Sequence, residues 1–174
     1  MFPTGSSKKS GLDQFLLPSR RVPTRPSEEM LKTRLLHEAD HLRTYVVVLD
    51  KGDEAMSGLT EFANEEDVSA ASLTGVGAFS SATLAYFDPE AMDYVDIGVD
   101  SQVEVLSLIG DVALADESPE VHAHAVVGHR DGTTSGGHLR RATVFPTLEV
   151  IVTETPAHLH KRHDHQTGLT LLDP

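Results

Sequence analysis

Val121–Leu139 reads VHAHAVVGHRDGTTSGGHL. Its first half, up to His129, alternates apolar and polar residues at the period of a strand. Arg130-Asp131-Gly132 is a turn, and a second strand candidate runs from Gly136 to Phe145. Residues two apart in a strand point to the same face, about 7 Å apart at Cα. His122 and His124 therefore sit side by side. If the loop has three residues, with Gly132 in the left-handed region, His129 faces Thr133. The register then sets His124 opposite His138 and His122 opposite Arg140. A two-residue turn at Asp131-Gly132 would slip the pairing by one and send His138 to the other face. A bulge at Gly136-Gly137 could restore it.

In the first register His122, His124 and His138 share a face. Three neutral imidazoles suit Zn²⁺, with Ni²⁺, Cu²⁺ and Fe²⁺ as alternatives, and leave a fourth position for water or a small carboxylate. His129 points to the opposite face. The competing reading is a set of ordinary half-buried strand histidines.

Working outward, Arg43–Leu49 (RTYVVVL) is β-branched and aromatic, which predicts a buried strand. Asp50-Lys51-Gly52-Asp53 makes a turn, and Asp53 is a candidate helix cap. Ala55, Met56, Leu59, Phe62 and Ala63 share one helical face, which predicts a helix over about 53–66. Further strands are predicted at 68–73, 81–87, 94–97, 103–109 and 148–153. Gly75-Val76-Gly77 between the first two suggests a bulge, since no third glycine or helix completes a dinucleotide fingerprint. One helix among consecutive strands implies an α+β fold with a largely antiparallel sheet packed by that helix.

The chain has 174 residues and no cysteine or tryptophan. That length suits one domain, and disulfides, thiolate metal sites and cysteine nucleophiles are excluded. The formal charge is -13, unevenly distributed. Residues 1–34 hold 7 Lys and Arg against 3 Asp and Glu, whereas residues 52–129 hold 16 acids and no Lys or Arg. Such a body repels nucleic acid and anionic lipid, so direct DNA binding by the domain is disfavoured. No apolar run reaches membrane-span length and no signal-peptide core is seen, so a cytoplasmic location is expected.

Residues 1–40 read as a Pro-rich basic tail, in which Ser27 could cap a short helix running through Met30, Leu31 and Leu35. The folded domain is expected over 41–170, with 171–174 as the C-terminal end. His158, His160, His163 and His165 lie beyond Pro156 in a polar stretch, read as a solvated tail. Glu104, in the otherwise apolar VEVLSLI, is a candidate general base beside a metal, or an edge-strand charge facing solvent.

Arg43–Gly52, Leu73-Thr-Gly-Val-Gly-Ala-Phe79, Glu104-Val-Leu-Ser-Leu-Ile-Gly110, His122-Ala-His124, Gly136-Gly-His-Leu139 and Asp164-His-Gln-Thr-Gly-Leu169 follow in order. This series resembles the PPC domain family (plants and prokaryotes conserved). The resemblance implies one α+β domain that assembles as a homotrimer. It also implies a metal held by the histidines matching His122, His124 and His138. Prokaryotic members are commonly labelled predicted DNA-binding proteins, and plant members carry AT-hooks ahead of the domain. Pro23-Thr-Arg-Pro26 is not a Gly-Arg-Pro hook.

Three functional expectations follow. The first is a homotrimeric, zinc-binding module that takes a small ligand or partner protein. The second is a zinc-dependent enzyme using metal-activated water, with Glu104 as base. The third is a DNA-binding regulator whose three basic tails act together.

Overall fold

The computed structural model describes residues 31–174. Among these, strands dominate: β1 (Leu31–Ala39), β2 (Leu42–Asp50), β3 (Ala70–Asp88), β4 (Asp93–Val99), β5 (Val103–Ala115), β6 (Ser118–Gly128), β7 (Thr134–Glu154), β8 (His160–His163) and β9 (Thr170–Asp173). The single described helix is α1 (Ala55–Glu65). Pairing is antiparallel throughout, apart from one parallel bridge between Leu114 of β5 and His160 of β8. The expected α+β class with one helix on a largely antiparallel sheet is what the chain adopts.

Two long strands organise the sheet. The first half of β3 lies between β5 and the second half of β7, and its second half lies between β4 and the first half of β7. β6 pairs with both β5 and β7, so β3, β5, β6 and β7 close a cycle. The bends come at register shifts near Gly75–Gly77 and Phe79–Ser81. At Gly77 a Cβ would lie 2.3 Å from the Thr147 carbonyl oxygen, so only glycine lets the two long strands approach there.

Inside lie Val47, Leu49, Leu73, Phe79, Leu84, Leu108, Leu139, Leu148 and Val150, each at most 2% exposed. The helix closes the core with Ala55, Leu59, Phe62 and Ala63, the predicted face, while Met56 packs at its margin. Phe62 meets Tyr45 edge-on at 5.3 Å. Burying a ring of that size contributes roughly 2–3 kcal/mol, more than the helix's intrinsic propensity could.

Several expectations need correction. The segment expected as a helix through Leu31 and Leu35 is strand β1, paired along β2. The folded unit thus includes residues assigned to the tail, whose Met1–Met30 portion lies outside the described residues. Asp40 and His41, both at positive φ, make a two-residue hairpin turn that no glycine announced. Asp116 and Glu117 do the same between β5 and β6. Residues 160–173 form a β8–β9 hairpin rather than a solvated tail.

The helix cap is Glu54, not Asp53. Its carboxylate accepts from the Met56 and Ser57 backbone N–H groups and from Ala142 N–H of β7. Asp53 instead accepts from the Asp50 N–H. Burial alone would raise the Glu54 pKa, but the bonds from Ser57, Ala142 and Met56 prevail and hold it below the usual glutamate value. A lowered folded value means this stabilisation is complete above the ordinary pKa and lost as pH falls through the folded one. Glu54→Ala is expected to lower unfolding free energy by about 1–2 kcal/mol at pH 7. In urea titrations the gap from wild type should close below about pH 4.

Candidate metal centre

The β6–β7 hairpin has the three-residue loop. The His129 N–H donates to the Thr133 carbonyl at 2.8 Å, and Gly132 has φ +84°. From there the register runs Gly128↔Thr134, Val127↔Ser135, Val126↔Gly136, Ala125↔Gly137 and His124↔His138, without a shift. No bulge is needed at Gly136-Gly137. Gly137 serves packing instead: a Cβ there would lie 2.6 Å from the Ala85 carbonyl oxygen of β3. The ladder ends at His124–His138, so His122 has Asp111 of β5 as its partner.

One ring nitrogen from each of His122, His124 and His138 lies within 4.8 Å of the others. The ring centroids are 5.1–5.5 Å apart. His124 is exposed and the other two are half-buried, so the cluster is open on one side. Burial, then the neighbouring charges of His122, His124, Arg140 and Lys161, push the His138 pKa down to about 4. Burial and His122 also lower that of His124. Both rings are thus neutral near pH 7, the form that ligates metal.

The donor set fits a divalent transition metal. His138 Nδ1 is buried with no hydrogen-bond partner among the described residues. Such an atom costs about 1–3 kcal/mol, a deficit that coordination through it would remove. The Tyr94 ring of β4 packs tilted against His138 at 4.9 Å, and Arg140 lies 5.4 Å over the Tyr94 ring and 3.0 Å from Asp96. These contacts hold the His138 ring plane.

Glu104 is not at this centre. It is exposed on β5, paired with Gly128, four β6 residues beyond His124. It lines a separate cleft of about 510 Å³ with Gln102, His129 and Arg130. The carboxylate beside the histidines is Asp111, whose Oδ2 is 3.4 Å from His122 Nδ1. Burial would raise the Asp111 pKa, but His122 and Lys161 outweigh it and hold it low. His129 points away, its Nε2 2.8 Å from Ser135 Oγ. His158, expected in a free tail, meets Ser69 Oγ at 2.6 Å.

Sequence reasoning missed Asp111 and Lys161. One signal was available: Asp111 follows Gly110 within an apolar strand. A Cβ on Gly110 would lie 2.2 Å from the His122 carbonyl oxygen, so this glycine brings β5 against the histidine strand. Gly110→Ala is expected to lower the melting temperature in thermal denaturation, because the added Cβ forces β5 and β6 apart.

A family model described as the Plants and Prokaryotes Conserved (PCC) domain matches residues 36–156. Three solved structures share the fold. A metal-containing protein of Archaeoglobus fulgidus is 32% identical, with TM-score 0.71, covering 83% of this chain and 98% of that one. A plant- and prokaryote-conserved (PPC) protein of Pyrococcus horikoshii is 28% identical, with TM-score 0.72 and coverage of 84% and 96%. A candidate DNA-binding protein of Bacteroides thetaiotaomicron is 25% identical, with TM-score 0.76 and coverage of 83% and 97%. Among curated proteins, the bifunctional protein GlmU of a Synechococcus strain is 31% identical over 131 residues. That match takes in 73% of this chain but only 20% of the relative. With the family model spanning well over half its length, the chain belongs to the Plants and Prokaryotes Conserved domain family.

Proposed function

We propose that this protein is a homotrimeric metal-binding module that holds zinc on His122, His124 and His138 and presents it to a small ligand or partner protein. The observation that carries the reading is the convergence of three imidazole nitrogens within 4.8 Å on a half-open face. The metal-containing relative supports it. Three protein ligands leave zinc one position for an exogenous donor. Ligand binding is favoured over hydrolysis because Glu104 is remote and Asp111 is already engaged by His122 and Lys161.

The trimer is supported by an exposed apolar face. Val46, Ile151, Thr74 and Ile109 are successive cross-strand partners, and the row continues into His124 and His138. Val76, Leu106 and Ile109 are each 55–57% exposed around a shallow cleft of about 390 Å³. An apolar stripe across four strands of an otherwise acidic molecule suits burial against a second copy. The DNA-binding reading rests on the described relative and on a basic tail outside the described residues. The acidic body opposes it. No described helix is long and apolar enough to cross a membrane.

Elemental analysis of the purified, untagged protein is expected to find about one zinc per chain, reduced to a trace in His124→Ala. Failure of both wild type and zinc-incubated protein to retain metal would remove the reading. Light scattering is expected to give three times the 18.8 kDa chain mass. Ile109→Lys should shift it toward one chain mass. A wild-type monomer at tens of micromolar would contradict the assembly.

A further inference from the structure

Lys161 lies in the β8–β9 hairpin, beyond the family-model match that stops at residue 156. Its side chain is only 2% exposed. Its neighbours Arg162 and His163 face solvent. An ammonium group is almost never buried to this degree without partners. Here Nζ donates to Glu120 Oε1 at 3.2 Å and forms an ion pair, without hydrogen-bond geometry, with the buried Asp111 Oδ1 at 3.3 Å.

The position of those carboxylates matters. Asp111 is the cross-strand partner of His122, and Glu120 is two residues before His122 on β6. Asp111 divides its oxygens, with Oδ1 toward Lys161 and Oδ2 toward His122 Nδ1. A carboxylate facing Nδ1 favours the tautomer with its proton there, which leaves the Nε2 lone pair free. The hairpin is delivered by backbone contacts: Leu114 N–H donates to the Leu159 carbonyl at 2.8 Å, one residue before the β5–β8 bridge.

We propose that Lys161 is a positioning residue for the metal centre. The C-terminal hairpin inserts its ammonium between Asp111 and Glu120, and by offsetting the repulsion between the two carboxylates it holds Asp111 against His122. This orients the imidazole and fixes its tautomer. Without the cation, two neighbouring carboxylates repel, Asp111 swings toward water, and His122 loses its orientation. The inference rests on the metal-binding reading and extends it: the hairpin is part of the site.

The test uses Co²⁺ as a spectroscopic probe and Zn²⁺ competition for affinity, on the full chain. Lys161→Met is expected to weaken both metals about 10- to 100-fold and to change the visible Co²⁺ bands. Lys161→Arg should restore most of the affinity. Arg162→Met should match wild type, because Arg162 pairs with Asp173 at the hairpin's exposed end. Wild-type affinity and an unchanged Co²⁺ spectrum in Lys161→Met would overturn the proposal while leaving the metal site intact. An equal loss in Arg162→Met would also overturn it, pointing to general hairpin docking. If wild type takes up no Co²⁺, the metal reading itself falls. Should Lys161→Met fail to fold, the imidazole ¹⁵N–¹H spectrum of wild type decides: a proton on His122 Nδ1 supports the proposal, and one on Nε2 contradicts it.

Discussion

The register of one hairpin decides whether the three histidines share a face. Strand side chains alternate faces with a period of two, so a single-residue slip between β6 and β7 would separate His138 from the other two histidines. The three-residue loop at Arg130–Gly132 prevents that slip. Gly132 takes the left-handed turn, and Asp131 braces it by accepting from the Thr133 N–H and hydroxyl. From this loop the ladder counts without interruption to His124–His138. The rest of the sheet supports that count: β5 holds the far edge of β6, and β3 holds the far edge of β7.

Around the cluster, two imidazoles with lowered pKa values, His124 and His138, coexist with a strongly acidic chain. The positive groups nearby are tied down, Arg140 to Asp96 and Lys161 to Asp111 and Glu120. Against that acidity, the row through Ile109 and Ile151 gives one face with exposed apolar side chains. That row runs on into His124 and His138. The histidine cluster and the proposed assembly face are therefore continuous.

Legibility in the sequence followed local chemistry. The α1 stripe, β2 and the Gly132 turn were readable because periodicity and a left-handed glycine are local signals. The histidine trio was readable because it depends on one short loop. The hairpins at Asp40-His41 and Asp116-Glu117 were not, because ordinary residues occupy their left-handed positions. The N-terminal strand β1 read as a helix because Leu31 and Leu35 match helical spacing, and its pairing with β2 overrode that preference. Asp111 and Lys161 were hidden for another reason. Asp111 reaches His122 through the β5–β6 hairpin, whose turn carries no glycine, and Lys161 comes from a strand 50 residues beyond Asp111, farther than any spacing rule reaches. Glu104 was the more conspicuous carboxylate, yet it lies toward the opposite end of β5.

On the proposed function, the hairpin register presents three imidazoles to one ion with a position to spare. X-ray absorption at the zinc edge, on zinc-loaded protein, measures that directly. Three imidazole nitrogens and one light exogenous donor are expected at about 2.0–2.1 Å. A shell with four imidazoles, or with none, would contradict it.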